Sequence, residues 1–357
     1  MKVLIAMSGG VDSSVAAKLI TDKGYDCIGC TMKMYDNDDA GIPRSHTCCS
    51  LDDVEDARGV AVKLGMPYYV FNFKDGFREK IIDEFTTAYM NGMTPNPCIS
   101  CNRYMKFGKL FERAEILGCD KIATGHYARI EYDGEKYVLK KAIDQRKDQC
   151  YVLYAMTQRQ LAHTLFPLGE MTKDEARRIA RESSLSVADK ADSQDICFVP
   201  NGNYAEIIEL HTGKKSVAGE FIDADGKVLG THKGIIYYTV GQHKGLGISL
   251  PGRKYVCKVD AKNNTVTLGN ENDLYARGAL VGDFNWISGE APKSQIRCTV
   301  KIRYRQAEVP ATVIAEYDGK VRITFDSPVR AVTPGQAAVI YDSDVVLGGG
   351  TIIGAIK

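Results

Sequence analysis

Through its first two hundred residues the chain alternates short apolar runs with longer segments whose apolar positions recur at helical spacing. Residues 2–7 read as a strand and 12–23 as an amphipathic helix that stops at Gly24. A second strand is expected over 25–34, a helix over 52–64 and a short strand over 68–71. Helices over 76–90 and 106–117 follow, then a strand with a polar end over 121–128. Strands alternating with helices of about 10–15 residues predict a mostly parallel sheet covered on both faces. Ligands of such sheets bind beyond the carboxyl ends of the strands. MSGGVDSS, residues 7–14, occupies that position after the first strand, and TGHY, residues 124–127, does so further along.

Past residue 200 the pattern changes to short strand-like runs separated by Asp-Gly, Lys-Gly and single Gly signals. From residue 282 onward five β segments are expected, over 296–304, 311–317, 320–325, 337–342 and 345–353. They predict a small closed or nearly closed barrel. The expected fold class is α/β: a parallel-sheet domain over 1–200, a small mixed α/β domain over 201–275, and a C-terminal β-barrel over 276–357.

Composition narrows the picture only in places. With 44% hydrophobic and 25% charged residues, 357 residues can build several cores. The net charge of +1 excludes a polybasic surface while leaving room for a local nucleic-acid footprint. No apolar run reaches 18 residues, so no membrane span is expected. MKVLIAMSGG reads as a strand rather than a secretory signal, and a cytoplasmic protein is expected. Eleven cysteines in so long a chain point to reduced thiols. Cys27, Cys30, Cys119, Cys257 and Cys298 read as packed thiols. Cys48, Cys49, Cys98, Cys101 and Cys197 sit among polar or Gly/Pro-rich neighbours.

SGGVDSS lacks the lysine of the common nucleotide-binding loop. Its glycines let backbone N–H groups turn toward an anion, Ser8, Ser13 and Ser14 add hydroxyls, and the following helix adds its positive end. Asp12 would repel a phosphate directly, so its expected partner is Mg2+ bridging phosphate oxygens of ATP. A site of this kind suits holding pyrophosphate while AMP stays on a substrate. TPNPCISCNRYMKFG, residues 94–108, and ADKADSQDICFVP, residues 188–200, each present cysteines on what should be rigid loops. Arg103, Lys106 or a helix N-terminus would favour the thiolate. Two separated thiols, one carrying a persulfide and one attacking it, together with a carbonyl activator suggest replacement of C=O by C=S. The basic stretches KKAIDQRKDQ (140–149) and KIRYRQ (301–306) are weaker signals for RNA; Lys301, Arg303 and Arg305 should share one strand face. His232 and His243 lie in glycine-flanked loops, and His46 with Cys48 and Cys49 is too closely spaced for an ordinary zinc loop.

The loop resembles that of the PP-loop ATP pyrophosphatases, the adenine nucleotide alpha hydrolase-like fold. MSGGVDSSV, TPNPC, CNRYMKFG, ATGHYA, KDQCYVLY, ADKADSQDICFV, YYTVGQHKGLGI and GQAAVIYD together, spread over essentially the whole chain, resemble the tRNA-specific 2-thiouridylase family. That resemblance implies a cytoplasmic enzyme that adenylates the C2 oxygen of the wobble uridine, uridine 34, and replaces it with sulfur. It implies an ATP site at Ala6, Met7, Ser8, Gly9, Gly10, Val11, Asp12 and Ser13, with Met32 and Gly125 near adenosine. Cys197 would carry the persulfide and Cys101 would be the nucleophile assisting release, the two being able to form a disulfide. Asn96, Pro97 and Cys98 would face the target base, and His126, Lys147, Asp148, Gln149, Tyr304, Arg305 and Gln336 would touch tRNA. The implied partners are tRNA and a persulfide donor, either a cysteine desulfurase or a sulfur-relay protein, with the enzyme a monomer. Many members of that family carry Asp where this chain has Cys98, so a proton transfer there would fall to a thiolate. The change also creates an alternative: Cys98, Cys101 and Cys197 as ligands of a zinc or iron–sulfur cluster. Two further alternatives are another PP-loop ligase or amidotransferase, and an inactive tRNA-binding module.

Overall fold

The computed structural model describes residues 1–35, 51–192, 196–199 and 202–357. Residues 46, 48 and 49 of the sequence reading lie outside them.

Strand β1 (Lys2–Ala6) is buried along nearly its whole length, as a central parallel strand must be. Its side chains alternate between two cores: Val3, Ile5 and Met7 pack on one face, Leu4 and Ala6 on the other. It leads through the glycine turn into α1 (Val11–Asp22), which ends at Lys23 and left-handed Gly24. β2 (Asp26–Lys33), α2 (Leu51–Lys63) and β3 (Tyr68–Asn72) follow. The helix over 74–90 and the helix over 97–116 each contain a π-helical stretch, at Arg78–Ile82 and Cys101–Lys109. β4 (Lys121–Ala123) and β7 (Thr164–Leu165) complete a five-stranded parallel sheet in the order β3-β2-β1-β4-β7. Strand order reverses between β1 and β4, so residues 7–14 and 124–127 meet at the switch point.

The middle unit pairs helix Tyr204–Thr212 with β8 (Gly219–Ile222), β9 (Val228–His232), β10 (Tyr255–Asp260) and β11 (Thr265–Gly269). Their sheet order is β10-β11-β8-β9, around a small core of Phe221, Tyr238, Val256, Val266 and Leu268. The last unit is a closed antiparallel barrel of β12 (Tyr275–Trp286), β13 (Ile296–Lys301), β14 (Val309–Ala315), β15 (Val321–Arg330), β16 (Ala337–Asp342) and β17 (Val345–Ile356). β12 pairs with both β15 and β17, which closes it.

Four features depart from the sequence reading. The barrel has a sixth strand, β12, because its glycines at 278 and 282 interrupt the alternation that marks a strand. The strand expected over 121–128 stops at Ala123. Residues 128–132 and 137–141 then form a hairpin, β5 (Ala128–Tyr132) and β6 (Tyr137–Lys141), that leaves the first unit and pairs with barrel strand β17. TPNPC is not a rigid loop throughout: Asn96 caps a helix that starts at Pro97. The Lys173–Glu182 helix, which buries chiefly Ala176 and Ala180, has too small an apolar face to declare itself, though Thr172 and Glu175 form its capping box.

Candidate active site

Gly9 has φ +71°, and a Cβ there would lie 2.3 Å from the Asp53 carbonyl oxygen. Only glycine allows both the left-handed turn and that approach. Gly10 then enters α1 in extended conformation with no side-chain cap, so the first-turn N–H groups are left for an anion. The hydroxyls are less available than the sequence suggests. Ser13 Oγ accepts from the Ser8 N–H at 3.1 Å, and the Ser13 and Ser14 hydroxyls reach the Gly10 carbonyl at 3.1 and 2.9 Å. Ser8 alone of the three is exposed. Gly125 packs edge-on against α1, where a Cβ would sit 2.7 Å from the backbone of Asp12 and Ser13. Met32 is buried near the carboxyl end of β2, the strand that pairs with β1.

The lysine missing from the loop comes from elsewhere in the chain. The Lys173 side chain is 6% exposed, and its Nζ lies 2.7 and 2.9 Å from the two oxygens of Asp12 and 2.8 Å from Asp192. The Tyr127 hydroxyl donates to Asp12 at 2.9 Å; burial first, then the Asp12 charge, raise its pKa. Asp192 also receives Lys147 at 2.8 Å and Arg177 at 3.0 Å. Burial alone would raise its pKa, but the hydrogen bonds and charge of Lys147 and Lys173 hold it down at about 2. On the other side of the loop Lys190 bonds to Gly9 O, Asp53 and Asp56 at 3.1, 2.6 and 2.7 Å. Neither Lys173 nor Lys190 was singled out in the sequence; the Thr172–Glu175 capping box gave a helix start but no ligand. Asp12 Oδ2 accepts one hydrogen bond, from Lys173, and keeps lone-pair capacity, so Asp12 still suits a magnesium ion carried by ATP.

Cys98 is exposed in the first helical turn, its N–H accepted by Asn96 Oδ1 at 3.1 Å. Cys101, one turn on and half-buried, has its Sγ 3.9 Å from Met34 Sδ. Cys197 is half-buried and its carbonyl accepts the Tyr35 hydroxyl at 2.7 Å. All described cysteines are free thiols, so the Cys101–Cys197 disulfide is not formed in this state. Among the described residues no three His, Cys, Asp or Glu side chains converge on a metal-sized site. The cluster alternative therefore has no assembled ligand set: Cys98 faces outward while Cys101 packs against the core. Arg103 is committed to Asp283 of the barrel, and Lys106 reaches His126 Nε2 at 3.3 Å.

The residues expected to touch tRNA divide into two groups. Gln336 reaches the 94–98 segment, and Tyr304 lies against the backbone of residue 148. Gln336 Nε2 donates to Thr94 O at 2.8 Å, Pro334 O accepts the Thr94 N–H at 2.9 Å, and the Tyr304 hydroxyl donates to Asp148 O at 3.2 Å. Burial first, then the Asp148 charge, raise the Tyr304 pKa. The others are tied down. The Gln149 side chain accepts the Tyr127 N–H at 2.9 Å, and Asp148 is buried, which raises its pKa, with Oδ1 accepting the Ala142 N–H at 3.0 Å. His126 is buried, and burial first, then Lys106, push its pKa well below 6.5. A neutral, buried imidazole cannot serve as a phosphate cation. The expected basic strand face is also corrected: β13 ends at Lys301, and Arg303 turns inward to the carbonyls of Val240 and Ala331 and to Thr333 Oγ1. Arg305 follows in the turn beyond the strand.

Three family descriptions match the chain in order. Residues 1–201 match a tRNA methyl transferase HUP domain, 206–270 a tRNA methyl transferase PRC-barrel domain, and 276–352 an aminomethyltransferase beta-barrel domain. The tRNA-specific 2-thiouridylase MnmA of Acetivibrio thermocellus is 51% identical over 98% of this chain and 99% of its own length. Those of Clostridioides difficile and Clostridium acetobutylicum are 48% and 49% identical over 98% of this chain, with 98% and 99% of their own lengths covered. The chain belongs to the tRNA-specific 2-thiouridylase family.

Proposed function

We propose that this member of the 2-thiouridylase family converts the wobble uridine of its tRNA to 2-thiouridine, consuming ATP and releasing AMP and pyrophosphate. The observation that carries this reading is near-full-length similarity to enzymes of that name. Residues 6–13 hold the polyphosphate, with Met32 and Gly125 on the adenosine side. Magnesium carried by ATP neutralises phosphate charge when bound, and Asp12 is the side chain that would hold it. The uridine C2 oxygen attacks the α-phosphorus, the bond to the bridging oxygen breaks, and pyrophosphate leaves with the electron pair.

The terminal sulfur of a Cys197 persulfide then attacks C2 and AMP departs with its oxygen. The Cys101 thiolate attacks the Cys197 sulfur, the persulfide S–S bond breaks, and its electrons remain on the base sulfur as the thione. A Cys101–Cys197 disulfide results, and an external thiol reductant must reopen it. Asn96, Pro97 and Cys98 face the flipped base, with Gln336 bracing that segment from the barrel and Tyr304 held at the Asp148 carbonyl. Arg305 and Lys147 contact the RNA, and Asp148, Gln149 and His126 shape the surface it meets. Dependence on ATP, tRNA and reduced thiols favours the cytoplasm, a monomer acting on one tRNA, and a persulfide-donating partner.

The test is anaerobic thiolation of an unmodified transcript with ATP, magnesium and a persulfide source, with nucleosides identified by mass spectrometry. Thiouridine should form with uridine at position 34 and not with cytidine there. AMP release without sulfur in the RNA would overturn the assignment.

A further inference from the structure

A desolvated ammonium between two carboxylates is an expensive arrangement, and replacing such a group by apolar atoms is often neutral or stabilising. Lys173 is in that position, held 2.7 Å from Asp12 and 2.8 Å from Asp192 beside a phosphate loop with no lysine of its own. Its partners are unequally dependent on it. Asp192 has two other cations, Lys147 at 2.8 Å and Arg177 at 3.0 Å, so it stays neutralised if Lys173 leaves. Asp12 retains the Tyr127 hydroxyl at 2.9 Å and is itself 34% exposed at the loop. The nearby Lys190, by contrast, joins Gly9 O to Asp53 and Asp56 and braces the turn. Without Lys173 an incoming polyphosphate would face the uncompensated Asp12 carboxylate.

We propose that Lys173 is a direct ligand of the ATP polyphosphate, exchanging its hydrogen bond to Asp192 for one to the departing pyrophosphate. The proposal rests on the PP-loop reaction assigned above. Lys173 donates hydrogen bonds and transfers no proton: the negative charge that builds on pyrophosphate as the α-phosphorus–oxygen bond breaks falls beside the ammonium. The Lys147–Asp192–Arg177 cluster is the counterion that lets it move.

Lys173→Met and Lys173→Arg separate this from a packing role. Binding of a non-hydrolysable ATP analogue and of AMP would be measured by calorimetry, and tRNA-dependent AMP formation by initial rates. Lys173→Met should weaken the analogue about 10-fold or more while leaving AMP binding unchanged, and lower kcat for AMP formation about 10²–10³-fold. KM for tRNA should stay constant, and Lys173→Arg should recover analogue binding. Equal loss of analogue and AMP binding would show a structural role and overturn the proposal, as would unchanged analogue binding. If Lys173→Met does not fold, Asp192→Asn decides: removing the competing carboxylate should tighten the analogue, and weaker binding would overturn the proposal. Wild-type enzyme forming AMP but no thiouridine would sink the sulfur-transfer reading and leave this one standing.

Discussion

Cys197 and Cys101 are assigned to sulfur transfer and not to adenylation, so their loss should divide the reaction in two. Cys197→Ala and Cys101→Ala should each lower thiouridine formation by at least about 10³-fold, the scale for removing a covalent nucleophile. ATP–pyrophosphate exchange in the presence of tRNA should persist within a few-fold, because adenylation precedes the attack by sulfur that displaces AMP. Loss of both activities together would place the thiols in the activation step instead. His126 supports a different test. Its Nε2 faces the Lys106 ammonium, so its N–H lies on Nδ1, 2.7 Å from Thr124 Oγ1. Its folded pKa lies well below 6.5, mainly through burial. As pH falls below 6.5 the unfolded chain gains a proton that the folded chain refuses, and stability falls by up to about 1.4 kcal/mol per pH unit. His126→Gln should therefore unfold with a shallower dependence on pH between 6.5 and 5 in urea titrations. An unchanged slope would mean that the imidazole is protonated in the fold.

At the scale of elements, the glycine turn and the capped helix position the chemistry. Gly9→Ala should lower stability by about 1–3 kcal/mol from the positive φ alone, with the Asp53 contact adding to it. Nucleotide affinity should fall with it, because the first-turn N–H groups of α1 would be re-aimed; thermal melting with and without an ATP analogue measures both. That turn was legible in the sequence because strand, glycines, serines and helix follow one another without interruption. The parallel sheet was legible for the same reason, each strand being a short apolar run. β12 and the β5–β6 hairpin were not, since glycines break one pattern and the partner of the other lies two hundred residues away. The site shows the same division. The loop and the three cysteines are local motifs, whereas Lys173, 161 residues beyond Asp12, is joined to it only by the fold. His126 and Asp148 read as surface contacts because sequence carries no burial, and the structure encloses both.

Across the whole molecule, the segment proposed to face the base is held by all three units. Thr94 is held by Pro334 O and Gln336 of the barrel, and its hydroxyl lies 3.4 Å from Thr239 of the middle unit. Arg303 ties that middle unit to the barrel through the Val240 and Ala331 carbonyls and Thr333. β6 pairs with β17, and Arg129 bonds Asp344 at 2.6 Å beside that join. The first unit holds the glycine loop and the cysteines, yet its chemistry depends on neighbours that fix Asn96 to Cys98. A fragment ending at residue 203 should consequently expose the open edge of β6 and associate in solution. Where it remains monomeric it should bind an ATP analogue within about ten-fold of the full chain, roughly the effect of one lost contact. Thiouridine formation should be undetectable. Recovery of wild-type turnover by the fragment would show that the barrel and middle unit serve only to hold RNA. Recovery only when residues 204–357 are added in trans would show that they complete the pocket.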